Sequence, residues 1–321
     1  MRTTPPPATG SRLDPRLYQI AILTGLLIYG IGWLEFDLTV PRVALYVGVA
    51  LATQFVCTKL WKLDRFDPKS ALISSLSLSL LLRTDSIAYA VLGAVITIAA
   101  KFVIRVPGVW GRRGAPKGMA AGSPKGDQGR TTYKHIFNPT NGAIVAMLLL
   151  GKGWVSPGQW GNVAFFAFLM ACLGGLVVNR AARADVTYAF IASYLALVFW
   201  RSWHLGEPMT IPVHRLENGG LLLFTFFMIS DPKTTPNSRM GRVIFAELVA
   251  AGAYFIQFKL FRTNGLMWSL AIFALVVPII DRLLPGELYQ WVRPPATPAR
   301  DPVPEAAPAV SAPILLTRSA S

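Results

Sequence analysis

Ten apolar runs follow one another along the chain, at 18–33, 43–60, 70–82, 87–106, 138–150, 161–178, 184–200, 219–230, 243–258 and 266–280. A helix needs about 20 apolar residues to cross the hydrocarbon core of a bilayer. Backbone in lipid must also satisfy its own hydrogen bonds, so a chain dominated by such runs folds as a helical bundle. The composition agrees, with 53% hydrophobic and 15% charged residues and a mean hydropathy of +0.46, where soluble domains carry about 25% charged residues. The expected fold is all-α and polytopic, with about ten transmembrane segments. Residues 1–16 read as a polar N-terminus, 17–292 as one integral membrane domain and 293–321 as a disordered Pro/Ala-rich tail. No small-residue cleavage site follows the first run, which reads as a span and not as a signal peptide.

The net charge of +15 and pI of about 10.2 resemble those of a nucleic-acid binder, but the positions of the charges argue otherwise. With a cytoplasmic N-terminus, 24 of the 31 Lys and Arg residues fall on the inner side of the ten runs. The excess follows the positive-inside rule, predicts that both termini are cytoplasmic and makes anionic headgroups, not nucleic acid, the partner of the basic charge. Segment 107–134, rich in Gly, Pro and basic residues, reads as a cytoplasmic loop. Cys57 and Cys172 lie inside apolar runs with no metal-type spacing, and His135, His204 and His214 lie near run ends, so neither an iron–sulfur site nor a haem is supported. Seven of the nine Trp lie near run ends, as membrane anchors do.

Three runs, starting at Ser70, Asn138 and Gly219, are too short to span and suggest broken or re-entrant helices. They recur in order. In the first half Asp67, a short run, Arg83-Thr84-Asp85-Ser86, a full run and later Thr140-Asn141-Gly142 follow one another. In the second the sequence is Glu217, a short run, Ser230-Asp231-Pro232, a full run and Thr263-Asn264-Gly265. Five spans separate equivalent elements, so the copies, about 17–150 and 161–284, would be inverted. Short interrupted helices in such repeats point to the binding site.

Two polar motifs sit at these breaks: Lys134-His135-Ile136-Phe137-Asn138-Pro139-Thr140-Asn141-Gly142 and Phe227-Met228-Ile229-Ser230-Asp231-Pro232-Lys233-Thr234. Pro139 suits a first helical turn and Asn138 its cap. Free N–H groups there favour an anionic or carbonyl-bearing ligand. Asn138, Thr140, Asn141, Ser230, Asp231, Lys233 and Thr234 are therefore candidates for holding the polar edge of a flavin or quinone noncovalently. The alternative is that they only cap broken helix ends, which lipid also demands. Glu247, inside an apolar run, is the candidate ion-pathway residue, with Asp231 second. At that depth Glu247 should face the interior, be protonated or be paired, unless it lies near the interface and is solvated or bound to Arg242.

These two motifs, in this order and spacing, resemble the membrane subunit shared by sodium-translocating NADH:quinone reductases, where it is NqrB, and Rnf electron-transport complexes, where it is RnfD, over about 18–284. The resemblance implies ten spans in two inverted repeats in a bacterial inner (cell) membrane. It also implies electron transport coupled to ion movement, with the other subunits of a redox complex as partners and FMN or riboflavin and quinone as cofactors. Family members esterify FMN to the Thr of a Ser-Gly-Ala-Thr motif. The matching segment here reads Glu207-Pro208-Met209-Thr210, so Thr210 is the positional match in an altered motif. The chain has no nicotinamide fingerprint, which fits a non-catalytic subunit. Two further classes stay open: a small-solute channel or transporter, since inverted repeats serve those too, and a stand-alone relative recruited to a biosynthetic pathway.

Overall fold

The computed structural model describes residues 14–34, 36–63, 66–107, 133–156, 164–216, 218–286 and 289. The expectations for residues 1–13, most of the basic loop, the start of the sixth run, Glu217 and the Pro/Ala-rich tail lie outside the described residues.

Helices begin where a side chain can hold the free N–H groups of a first turn. Asp14 accepts from the Arg16 amide at 3.0 Å ahead of α1 (Pro15–Gly32). After α2 (Val40–Leu60), Asp67 accepts from the Lys69 amide at 3.2 Å ahead of α3 (Pro68–Leu81). Ser86 caps α4 (Ile87–Val103) and Asn138 caps α5 (Pro139–Leu149). The second half runs through α6 (Ala164–Arg180), α7 (Ala184–His204) and the short α8 (Thr210–Leu216). Asn218 starts α9 (Gly219–Leu223), which passes into a π-helical turn over Phe224–Met228. Ser238 caps α10 (Arg239–Phe258), and α11 (Gly265–Ala274) and α12 (Val277–Leu283) follow.

The all-α expectation is amended by two small antiparallel pairs. β1 (Leu82–Arg83) pairs with β4 (Trp154–Val155), Leu82 opposite Val155. β2 (Arg105–Pro107) pairs with β3 (Tyr133–His135), Arg105 opposite His135. The second pair ends the fourth apolar run three residues early and delivers the chain to the start of α5.

Each apolar run contains helix, but the helices differ in reach. Among the described residues, α2 and α10 are long and apolar enough to cross a membrane, and α11 with α12 passes as a pair bent by 48°. α4, α5 and the Gly219–Met228 stretch are shorter apolar helices. α1 packs on α3, α2 on α3 and α4, and α4 on α5; α6 packs on α9 and its π turn, α7 on α10, and α10 on α11. α5 meets α11, which joins the two halves. The core runs through these contacts, with Leu23, Tyr46, Leu78, Ile144, Phe190, Phe224 and Phe245 among its fully enclosed side chains.

Candidate functional site

The two polar motifs meet. Capping leaves the side-chain oxygen of Asn138 on the Asn141 amide at 3.1 Å, so its amide group faces away from α5. There it donates to the Met228 carbonyl, at the end of the π turn, at 3.3 Å and to Asp231 Oδ2 at 3.2 Å. Thr140 Oγ1 donates to the Ser74 carbonyl of α3 at 3.2 Å, and Asn141 Nδ2 to the Met267 carbonyl of α11 at 3.2 Å. Asn141 Oδ1 is buried without a hydrogen-bond partner. Ser230 Oγ donates to the Phe226 carbonyl at 2.6 Å. Asp231 Oδ1 accepts from the Lys233 amide at 3.0 Å, and the Asp231 carbonyl accepts from Thr234 Oγ1 at 3.3 Å. Lys233 Nζ donates to the Tyr289 carbonyl at 3.0 Å. All seven residues chosen from the two motifs therefore gather at one junction, where most of their polar atoms are engaged in bracing broken helix ends.

A pocket of about 70 Å³ opens at the junction. Asn138, Thr140, Ser230, Asp231, Lys233 and His135 line one side, and Arg16 of α1 and Ser70, Ser74 and Ser77 of α3 line the other. The sequence motifs did not single out Arg16 or the three serines. The 70-74-77 spacing does carry a signal, because residues four and three apart share one helix face. Arg16 pairs with its neighbour Asp14 and with Asp67, the second a contact between distant segments that no local pattern announces.

The electrostatics of the junction are mixed. Burial, then the positive charges of Lys101, Lys233, Arg105 and Lys134, hold His135 down to about 3, so its imidazole is neutral. Burial pushes Asp231 up and Lys233 down. Beside the junction Lys134 forms a buried ion pair with Asp281 at 3.0 Å and donates to the Thr235 carbonyl at 2.6 Å. Asp281 also accepts from the Asn237 amide at 2.7 Å.

A flavin fits this junction only in part. Pockets that enclose a small organic ligand usually measure about 300–1,000 Å³, so this one admits the polar edge of a ring and not a whole isoalloxazine. For covalent attachment the segment keeps the Thr and little else of the motif. Thr210 is exposed at the first position of α8, and in place of Ser-Gly-Ala stands a segment whose Glu207 is bound to Arg201 at 2.7 Å and to Ser202 at 3.0 Å. Thr210 lies outside the junction, and so does Glu247. The latter is exposed on the outer face of α10, so of the three alternatives expected for it, facing the interior, being protonated or being paired, the first does not hold. Arg242, its alternative partner, instead grips Asp185 through Nε at 2.9 Å and Nη2 at 2.5 Å.

Residues 119–289 match the model of the NQR2, RnfD, RnfE family, just over half of the chain. Similar curated proteins share one description, that of the D subunit of an ion-translocating oxidoreductase complex. The protein of Erwinia tasmaniensis is 28% identical over 164 residues, covering 50% of this chain and 42% of the relative. Those of Escherichia coli K12 and Citrobacter koseri are 29% and 28% identical over 149 residues, covering 46% of this chain and 39% of each relative. The chain thus spans about two fifths of the length of the curated relatives it matches.

Proposed function

The chain belongs to the NQR2, RnfD, RnfE family, and from that membership we propose that it is a membrane electron-transport subunit within a redox-driven, ion-translocating complex. The observation that carries the proposal is the junction itself, where the motifs by which the chain resembles that family converge on Asn138 and Asp231. In this reading the ten apolar runs are ten membrane segments in two inverted five-span repeats in a bacterial cell membrane, with both termini cytoplasmic. The recurring packings support it: α1 on α3, α2 on α4 and α4 on α5 find counterparts in α6 on α9, α7 on α10 and α10 on α11. The matched starts at Asp67 and Asn218 and at Ser86 and Ser238 support it too.

A flavin or quinone held noncovalently by its polar edge belongs to the same proposal, and when bound it supplies the acceptance and release of electrons. Neutral His135 offers a hydrogen bond to that edge, while Asn138, whose amide is engaged with Met228 and Asp231, holds the wall of the pocket in place. Lys233 and Arg16 line the same pocket and place positive charge where a reduced ring gathers negative charge. Asp231, raised by burial, is suited to hold a proton there.

The test is purification of the tagged full chain from its native membranes in mild detergent. Other redox subunits should co-purify, with flavin or quinone extractable without proteolysis and reduced by at least half in Asn138→Ala. A colourless chain that travels alone would sink the proposal in favour of a transporter or biosynthetic role. In-gel fluorescence after denaturation addresses Thr210 separately: none is expected, and fluorescence abolished by Thr210→Ala would establish covalent attachment there.

A further inference from the structure

α10 carries a carboxylate where a membrane helix has least use for one. Glu247 lies eight residues into a 20-residue helix suited to cross a membrane, about 12 Å from its start at 1.5 Å per residue. It is exposed, and no hydrogen bond or ion pair engages it among the described residues. Met240, Ile244, Ala251 and Phe255 recur with it at helical spacing and form one outward stripe. Met240 is 62% and Phe255 53% exposed. The opposite face, with Phe245, Val249 and Ala253, is buried and packs against α7 and α11. Arg242, the nearest cation on the helix, is committed to Asp185. A carboxylate at that depth facing acyl chains is expensive, and such groups turn toward protein or water and pair.

The stripe also has the form of a helix interface, because Ala251, one turn from Glu247, lets a neighbouring helix approach closely. A second copy of this chain makes a poor occupant. Two copies related by an axis normal to the membrane would set Glu247 against Glu247 at equal depth, with nothing to neutralise either. We propose that this face of α10 docks a transmembrane helix of a different subunit that presents a Lys or Arg side chain at the depth of Glu247. The inference rests on the reading that the chain works inside a complex and adds the surface and the chemistry of the contact.

A photo-crosslinking benzoylphenylalanine at Ala251 in the full chain, within native membranes, tests it, with Val56 on α2, also outward and 52% exposed, as the control position. The expected result is an adduct from position 251 and not from 56, mapped by mass spectrometry to a transmembrane helix of another subunit next to a Lys or Arg. Glu247→Lys should lower its yield about tenfold or more, as loss of a desolvated charge pair does, and converting the mapped cation to Glu should restore it. Glu247→Gln, close to isosteric, should lower the yield severalfold with unchanged chain in the membrane, which separates lost docking from failed insertion. Adducts only to lipid or to a second copy, or a yield indifferent to both substitutions, overturn the proposal. If other subunits still co-purify in that case, the complex reading stands and this surface alone falls; a chain that travels alone takes both down.

Discussion

The side-chain amide of Asn138 donates to the carboxylate of Asp231 across 3.2 Å and 93 residues of sequence. The same amide reaches the Met228 carbonyl, and its oxygen holds the first turn of α5, so one residue caps one broken helix and braces another.

Replacing it should therefore act on both. Asn138→Ala removes a cap worth about 1 kcal/mol and a hydrogen bond to a charged group worth about 1.5–3 kcal/mol, so a loss of about 2–4 kcal/mol is expected from unfolding by denaturing detergent. Asn138→Asp keeps a capping oxygen but loses both donors and sets a second carboxylate against Asp231. It should be the worse of the two, and an Asp variant as stable as the native chain would refute the role assigned to the amide.

His135 predicts a pH dependence. Burial first, and then the charges of Lys101, Lys233, Arg105 and Lys134, hold its imidazole at about 3, against an ordinary 6.5. Between those values the unfolded chain binds a proton that the folded chain refuses. The contribution of this group is thus complete above pH 6.5 and is lost progressively as pH falls toward 3. Asp231, raised by burial, takes up its proton more readily when folded and works in the opposite sense, so the informative quantity is a difference. Thermal unfolding in detergent between pH 7.5 and 5 should show the native chain losing more stability than His135→Gln; parallel profiles would exclude the imidazole as the cause.

The buried pair of Lys134 and Asp281, 8% and 5% exposed at their side chains, should be costly to break from one side. Lys134→Met leaves a carboxylate in the core and Asp281→Leu leaves an ammonium, and each should cost about 3–5 kcal/mol. The double substitution should cost less than either, since two apolar groups strand no charge. A double-mutant cycle measured by chemical unfolding decides it, and additive losses would show that the pair is not coupled.

How much of this was legible in the sequence depends on which contacts are local. The apolar runs announce helices because a bilayer imposes one length and one hydrogen-bonding pattern. The start of α5 is legible because Asn138 and Pro139 act within a single turn. Polar residues interrupting apolar runs also marked the junction, since broken helix ends need partners in any membrane fold. The facing of Glu247 was not legible. Arg242 and Glu247 lie on different faces of α10, one buried and the other exposed, so a charged residue does not by itself show which side meets the core, and α7, which covers much of the other face, is distant in sequence. The same holds for Arg242 with Asp185, 57 residues apart, and for Arg16 with Asp67, 51 apart. The π turn at Phe224–Met228 has no residue signature that separates it from ordinary helix.

The repeated Thr-Asn-Gly tripeptides supply the last prediction, because their glycines face different surroundings. At Gly142 an added Cβ would meet the Phe137 Cβ at 3.2 Å and nothing nearer, a contact that a shift of a few tenths of an ångström relieves. At Gly265, where α11 leaves the left-handed turn of Asn264 (φ 60°), it would meet the backbone carbonyl of Ala253 at 2.8 Å and Gln257 Cβ at 3.3 Å. Backbone inside a packed helix cannot yield without moving α10. Gly265→Ala should thus cost about 1–3 kcal/mol as overpacking does, while Gly142→Ala, in the first turn of α5, should lie within about 0.5 kcal/mol of the native chain because alanine's better helix propensity offsets a small adjustment. If unfolding measurements rank the two the other way, the close approach of α11 to α10 is not what the glycine provides, and the tripeptides are alike only in sequence.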